Sequence, residues 1–116
     1  MEKLGTNYGG WYVPTQMKLD ENSVVYSGGV GEDISFDLFL HDKYNCAITL
    51  IDPTPRAITH FDDVKQYYSS SRPFTTNVQP DYDSCIRSIS PNFNKFKYID
   101  VGLWDKSESL KFYKQT

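Results

Sequence analysis

Several features that would point to a particular partner or compartment are missing from this 116-residue sequence. No apolar run approaches the roughly 18 residues of a membrane-spanning helix, and the N-terminus lacks the apolar core of a secretory signal. A basic excess is also missing, because 12 Lys and Arg stand against 15 Asp and Glu, for a formal net charge of -3. We therefore expect a cytoplasmic protein that binds neither membrane nor nucleic acid.

Cysteine and histidine are scarce. Cys46 and Cys85 lie far apart in the sequence, and His41 and His60 are isolated residues. These spacings match no metal-ligand pattern. We therefore predict no metal site, reduced structural thiols, and two histidines on the exposed surfaces of helices. No residue is assigned a catalytic role.

What the sequence does contain is an alternation of strand-like and helix-like segments. Apolar, β-branched runs predict strands, and apolar residues three and four positions apart predict helices. The predicted strands are 23–27, 46–51, 95–104 and 109–114; the predicted helices are 33–44, 55–68 and a short one around 82–89. The last two strands are expected to form a hairpin.

Local signals mark where the two longer helices begin. Asp33 is expected to cap the first, and Thr54 the second, with Pro55 in its first turn. The second helix is predicted to bury a stripe formed by Ile58, Phe61, Val64 and Tyr68. The segment 1–22, rich in glycine and aromatics, is expected to be irregular.

Strands that alternate with helices predict right-handed crossovers and a parallel sheet. The fold class is therefore α/β: the first half of a doubly wound parallel sheet plus a C-terminal hairpin. The length of the chain suits one domain. We divide the chain into an N-terminal segment, 1–22, and a partial domain, 23–116.

The clearest candidate site is the glycine turn after the first of these strands. Gly28, Gly29 and Gly31 lie where an open parallel sheet binds ligands, and they allow positive φ and close approach to the backbone. Asp52 ends the next strand about 20 residues further on, a spacing at which an acid binds the ribose hydroxyls of a nucleoside ligand. The turn and the acid together predict a nucleoside site.

The charge of the turn indicates which nucleoside ligand it binds. Glu32 and Asp33 lie where a diphosphate would need positive N–H dipoles, so they disfavour NAD. They suit S-adenosylmethionine, which has an ammonium and a sulfonium group. The alternative interpretation is that both acids only stabilise the start of the helix.

The segments "YSGGVGEDISFDLFL", "LIDPTP" and "PNFNKFKYIDVGLWDKSESLKFYK" resemble the FkbM-type family of S-adenosylmethionine-dependent methyltransferases, as does "GGWYVP" upstream. The resemblance implies a Rossmann-like fold and transfer of a methyl group to oxygen on an acceptor that is a small molecule or a glycan. It places Gly29 and Gly31 under the methionine part of the cofactor, Asp52 at the ribose, and Gly102 and Leu103 near the adenine. In two places the chain departs from the usual methyltransferase turn: Ser27 replaces an acid, and Asp33 replaces the third glycine.

The chain ends before the further strands that such methyltransferases have. We therefore expect an N-terminal fragment or a truncated homologue that carries the cofactor half-site and is inactive by itself. The alternative is a non-catalytic module that binds a nucleoside or S-adenosylmethionine, or an interaction module, completed by another chain. The unfinished sheet edge at 23–27 also predicts self-association.

The aromatic residues Tyr8, Trp11 and Tyr12 leave two interpretations open. They form a lid over the cleft, or they belong to an ordinary segment packed on the sheet edge, which is the favoured interpretation.

Overall fold

A computed structural model describes residues 1–102 of the chain, as a mixed α/β fold. Within these residues five strands and three α-helices follow one another, with one 3-10 turn at Phe93–Lys95. In chain order they are β1 (Glu2–Leu4), β2 (Trp11–Val13), β3 (Val24–Gly28), α1 (Ser35–Tyr44), β4 (Ala47–Ile51), α2 (Pro55–Ser70), α3 (Tyr82–Ile86) and β5 (Phe96–Ile99). Within this part of the chain no helix is long and apolar enough to cross a membrane.

The main sheet has three parallel strands in the order β3-β4-β5. The central strand β4 is the most deeply buried, and its residues Ile48 and Leu50 have no exposed surface. The predicted strand–helix–strand order and the parallel pairing are confirmed. Among the described residues β3 is an edge strand, and the carboxyl ends of β3, β4 and β5 lie along one side of the sheet.

The start of α2 was predicted correctly from local sequence. Thr54 is its N-cap, with the hydroxyl oxygen accepting a hydrogen bond from the Ala57 N–H at 3.4 Å, and Pro55 is in the first turn. The predicted start of α1 is wrong in detail, since the capping position falls on Ile34. Asp33 lies one residue earlier, although its carboxylate does accept the Ser35 N–H at 2.9 Å.

The predicted apolar stripe of α2 is wrong at its first position. Ile58 is 39% exposed, whereas Ala57, His60 and Val64 are fully buried and Asp63 is 8% exposed. The buried face therefore includes two polar residues, because the loop 71–81 supplies hydrogen-bond partners for both. Periodicity of apolar residues does not detect such a face.

Both histidines are buried, which corrects the prediction that they are surface residues. His41 is 3% exposed and His60 is fully buried. The Nε2 atom of His41 accepts the Asn92 N–H at 3.1 Å, so Nδ1 donates to the Cys46 carbonyl at 2.8 Å. Burial is tolerated because both ring nitrogens have partners.

The N-terminal segment also differs from the prediction of irregular structure. Strands β1 and β2 form a short antiparallel hairpin in which Leu4 faces Trp11. Leu4 and Val13 belong to the hydrophobic core, and an ion pair joins Glu2 to Lys43 of α1. Three-residue strands are stable here because the hairpin packs on α1, a contact that glycine content does not reveal.

The remaining predictions concern the cysteines and the C-terminus. Cys46 and Cys85 are free, and burial raises the pKa of both thiols. The strand predicted at 95–104 ends at Ile99. The predicted partner strand at 109–114 and the site residue Leu103 lie outside the described residues.

Candidate functional site

The glycine turn begins directly where β3 leaves the sheet. Gly28 still pairs with Ile51 of β4, and the Gly29 N–H donates to the Ile51 carbonyl at 3.1 Å. Gly29 and Gly31 then adopt φ values of 74° and 60°. These left-handed conformations are unfavourable for most other residues, so the sequence prediction of a turn that needs glycine is confirmed at both positions.

A cleft of ≈ 970 Å³ opens beside this turn, at the carboxyl end of the edge strand β3. Five of the predicted site residues line it: Gly28, Gly29, Gly31, Glu32 and Asp33. The other lining residues come from the N-terminal hairpin, β3, the glycine turn itself, α1, α2 and the loop before α3. They are Tyr8, Gly9, Gly10, Trp11, Tyr26, Ser27, Val30, Phe36, Asp37, Arg56, Asn77 and Gln79.

The Glu32 side chain is held by two elements on the far wall of the cleft. Its carboxylate accepts the Asn77 N–H at 3.2 Å and lies 3.6 Å from Nε of Arg56. Among residues 1–102, the lining has three carboxylates (Glu32, Asp33 and Asp37) and one guanidinium. This described part of the lining has more negative than positive groups, which favours a ligand with positive groups.

Asp33 connects the glycine turn to the N-terminal hairpin. One carboxylate oxygen accepts the Thr6 hydroxyl at 2.6 Å, and the other accepts the Ser35 hydroxyl at 2.6 Å. The Thr6 hydroxyl oxygen in turn accepts the Gly9 N–H at 2.9 Å. A Cβ added to Gly9 would lie 2.4 Å from the Asp33 carboxyl carbon, so only glycine allows this approach.

The connection between β1 and β2 forms one wall of the cleft through Tyr8 and Trp11. It is fixed by Thr6, which is 1% exposed and whose backbone N–H donates to the Ser35 hydroxyl at 2.9 Å. The Asn7 N–H donates to Asp81, at 3.1 Å. Because these hydrogen bonds anchor it, the connection is a fixed wall of the cleft that packs on α1, rather than a hinged lid.

Asp52 and Gly102, both predicted to contact the cofactor, lie outside the lining of this cleft. The Asp52 carboxylate is 7% exposed and accepts the Gly31 N–H at 3.2 Å, the Thr54 N–H at 2.9 Å and the Thr54 hydroxyl at 2.7 Å. Burial alone would raise the pKa of Asp52, but the hydrogen bonds from Thr54 and Gly31 outweigh it and lower the pKa. Asp52 thus joins the glycine turn to the start of α2, and its contact with a ribose stays a prediction.

No protein-family model, curated protein or solved structure matches this chain.

A buried carboxylate on α2 holds the loop that forms the far wall. Asp63 accepts the N–H groups of Thr75 and Thr76 at 2.7 and 2.9 Å, and both of their hydroxyls. These hydrogen bonds lower the pKa of Asp63 in spite of its burial, which acts in the opposite direction. The next residue, Asn77, lines the cleft.

A chain of hydrogen bonds runs from this loop to the start of α1. Because the Thr76 hydroxyl donates to Asp63, its oxygen accepts from Nδ1–H of His60 at 2.8 Å. The Nε2 atom of neutral His60 then accepts the Tyr82 hydroxyl at 2.7 Å, and the Tyr82 oxygen accepts the Ile34 N–H at 3.1 Å. Asp63 and His60 thereby connect the loop of the far wall to the start of α1.

Several lining residues were not predicted from the sequence, notably Tyr26, Arg56, Asn77 and Gln79. Asn77 and Gln79 come from a polar loop with no periodic pattern, so no local signal distinguishes them. Within residues 1–102, no three His, Cys, Asp or Glu side chains form a group suited to a metal ion.

Proposed function

We propose that the cleft beside the glycine turn binds S-adenosylmethionine and that the protein is a methyltransferase with a Rossmann-like fold. The observation that carries the proposal is the position of the cleft. It lies at the carboxyl end of a parallel strand, against a turn with two left-handed glycines. Ligands of open α/β sheets bind at this position.

The chemistry of the lining fits the methionine end of this cofactor. S-adenosylmethionine carries an ammonium and a sulfonium group against one carboxylate, and the described residues of the lining supply three carboxylates against one guanidinium. A Cβ added to Gly31 would meet no atom within 4 Å, so the space above the turn is open to a ligand. The cleft volume of ≈ 970 Å³ lies within the usual range for small-molecule sites, about 300–1,000 Å³.

The residues of the chain would act by binding and orienting. Gly29 and Gly31 would let the aminoacyl group approach the backbone, and Glu32 would supply negative charge that favours the positive groups of the cofactor. Asp52 would act from outside the lining, by holding the Gly31 N–H and so the shape of the turn. When bound, S-adenosylmethionine supplies an activated methyl group, so alignment with the acceptor accounts for much of the acceleration.

A second candidate is a module that binds S-adenosylmethionine or a nucleoside without catalysis. Neither His41 nor His60 lines the cleft, and both ring nitrogens of each are already hydrogen-bonded. Within the described residues, neither histidine is therefore placed to take a proton from an acceptor. Methyl transfer to a trial acceptor separates the two candidates.

Calorimetric titration with S-adenosylmethionine, S-adenosylhomocysteine and NAD tests the proposal. We expect binding of the first two and none of NAD. Gly31→Asn places a side chain in the open space of the turn at a left-handed position that asparagine tolerates, so it should abolish binding while the protein stays folded. Tighter binding of NAD would refute the assignment, as would unchanged S-adenosylmethionine binding in folded Gly31→Asn.

A second variant tests whether the negative charge of Glu32 contributes to binding. Glu32→Gln keeps an oxygen for the Asn77 N–H but removes the negative charge, and it should weaken S-adenosylmethionine binding by about tenfold. The matched control is Glu21→Gln, an exposed position away from the cleft, which should bind normally. Equal losses in the two variants would mean that the effect is a general one of net charge.

A further inference from the structure

His60 and Tyr82 form a buried polar pair next to the loop of the far wall. Both side chains are fully buried, and Nε2 of His60 lies 2.7 Å from the Tyr82 hydroxyl oxygen. Burial raises the pKa of Tyr82 well above its ordinary value, so the hydroxyl keeps its proton. Neither side chain lines the cleft. The pair therefore acts on the cleft only through the groups that it holds.

Two parts of the cleft lining are positioned through Tyr82. Its backbone N–H donates to the Gln79 carbonyl at 2.9 Å, and its hydroxyl oxygen accepts the Ile34 N–H at 3.1 Å. Gln79 lines the cleft, and Ile34 directly follows Asp33, which lines the cleft from the glycine turn. A displacement of Tyr82 would therefore reach the lining at two places.

The hydrogen bonds of the pair suit only the neutral form of His60. Nδ1–H of His60 donates to the Thr76 oxygen at 2.8 Å, which leaves Nε2 to accept the Tyr82 hydroxyl. A second proton, on Nε2, makes this nitrogen a donor as well. The Tyr82 O–H then loses its acceptor at a fully buried position. Because an unpaired buried donor is unfavourable, protonation of His60 favours a displaced Tyr82.

His60 takes this second proton only at acid pH. Burial lowers the pKa of His60 from its ordinary value of about 6.5. The charged groups that face the ring from the described residues are Asp33 and Glu32 of the glycine turn and Asp63 of the same helix. All three favour the protonated ring, but they do not cancel the effect of burial. The ring is therefore neutral in the folded protein at neutral pH.

We propose that His60 is a pH-sensitive positioning residue of the cleft. When His60 is protonated, Tyr82 moves away from it, and the two parts of the lining that Tyr82 holds lose their position. The affinity of the cleft for its ligand therefore falls as pH decreases. That this ligand is S-adenosylmethionine rests on the function proposed above, whereas the movement of Tyr82 depends only on the hydrogen bonds of the pair.

The movement can be tested without a ligand. NMR follows the His60 ring as pH is lowered, together with the NOE between the Tyr82 ring and the Ile34 N–H. We expect this NOE to be lost at the pH at which the ring is protonated. The NOE between the His41 ring and the Asn92 N–H, a second buried pair, is the control and should persist. A retained Tyr82 NOE, or a His60 ring that stays neutral until the protein unfolds, would overturn the proposal.

Ligand binding tests the consequence for the cleft. Calorimetric titration should show S-adenosylhomocysteine binding about tenfold more weakly below the His60 midpoint than above it. His60→Gln keeps a donor for Thr76 and an acceptor for Tyr82 but cannot be protonated, so its affinity should change by less than about twofold over the same range. Equal weakening in wild type and folded His60→Gln would assign the pH dependence to the carboxylates of the lining and overturn the proposal.

The two measurements separate this proposal from the cofactor assignment. If S-adenosylhomocysteine binds with the same affinity on both sides of the His60 midpoint, the cofactor assignment stands and the proposal for His60 is overturned. If S-adenosylhomocysteine does not bind at any pH while protonation of His60 still removes the Tyr82 NOE, the movement stands and the cofactor assignment fails.

Discussion

The two sides of the glycine turn differ in how much side-chain surface they leave exposed. On the side toward α2, Asp52 is buried and accepts three hydrogen bonds from Gly31 and Thr54. On the side toward the hairpin, Tyr8 and Trp11 expose most of their surface along a cleft. The first side stabilises the turn, and the second leaves surface available for a ligand.

This difference in exposure lets effects on stability be distinguished from effects on ligand binding within one short segment. Substitutions on the buried side should change the free energy of unfolding strongly, because they leave backbone or side-chain groups unpaired. Substitutions of the exposed rings of Tyr8 and Trp11 should leave stability nearly unchanged and act on ligand binding. Each of the following predictions tests one side of this comparison, and the expected effect on stability decreases from one to the next.

The largest effect is expected for Asp52→Ala. It removes the acceptor for the N–H groups of Gly31 and Thr54, and should lower the free energy of unfolding by about 3 kcal/mol. Urea denaturation without ligand measures this loss. Asp62→Ala, at an exposed position on α2, is the control and should change stability by less than about 0.5 kcal/mol. If Asp52→Ala were as stable as the wild type and had lost only ligand binding, Asp52 would belong to the ligand-binding side of the turn instead.

Tyr82→Phe should have the next largest effect. It leaves Nε2 of His60 and the N–H of Ile34 without their shared partner in the buried core, at a cost of about 2 kcal/mol. The same denaturation measurement applies, with the exposed Tyr12→Phe as control. If the two variants were equally stable, the chain of hydrogen bonds would have no structural role.

The free energy of unfolding should also decrease at acid pH, because His60 is buried. Burial lowers the pKa of His60, although Asp33, Asp63 and Glu32 act in the opposite direction. Because its pKa is lower in the folded state, the unfolded chain binds the proton first as pH falls below about 6.5. Stability is therefore greatest above that pH and decreases below it, by at most about 1.4 kcal/mol per pH unit for one proton.

Unfolding measurements across this pH range, on wild type and His60→Gln, check the prediction. The variant is expected to be less stable at neutral pH but to lose less between pH 6.5 and lower pH. A parallel decline in the two proteins would assign the acid sensitivity to other groups.

The smallest effect on stability is expected on the cleft side. Trp11→Leu should change the free energy of unfolding by less than about 0.5 kcal/mol, because the ring is 66% exposed. Thermal unfolding compares it with Tyr12→Leu on the same strand. A loss as large as that of Tyr82→Phe would mean that the exposed ring is part of the core rather than a ligand surface.

Much of the fold was predictable because its signals are local. The apolar run of β4, the cap at Thr54 with Pro55, and the glycines after β3 each act within a few residues. The parallel order follows from the alternation of strands and helices. The hairpin of β1 and β2 was missed, since its strands are short and depend on packing against α1.

The candidate site was predictable in part for the same reason. The sequence placed the glycines and the acids Glu32 and Asp33 at one turn, and they do line a common cleft. It did not predict the burial of His60, whose partners Thr76 and Tyr82 lie 16 and 22 residues away. Nor did it predict that Asn77 and Gln79 form a wall, because their loop is positioned by Asp63 through tertiary hydrogen bonds.

The sequence by itself determined where the chain turns and where helices begin, because glycine, proline and capping side chains act on their own backbone. Only the tertiary structure decided which carboxylate is buried by its hydrogen bonds and which aromatic rings line a cleft. Asp52 and Glu32 are chemically similar, and their difference arises from neighbours that folding brings together. Burial and hydrogen bonding are properties of those neighbours, so they follow from the assembled fold rather than from residue type.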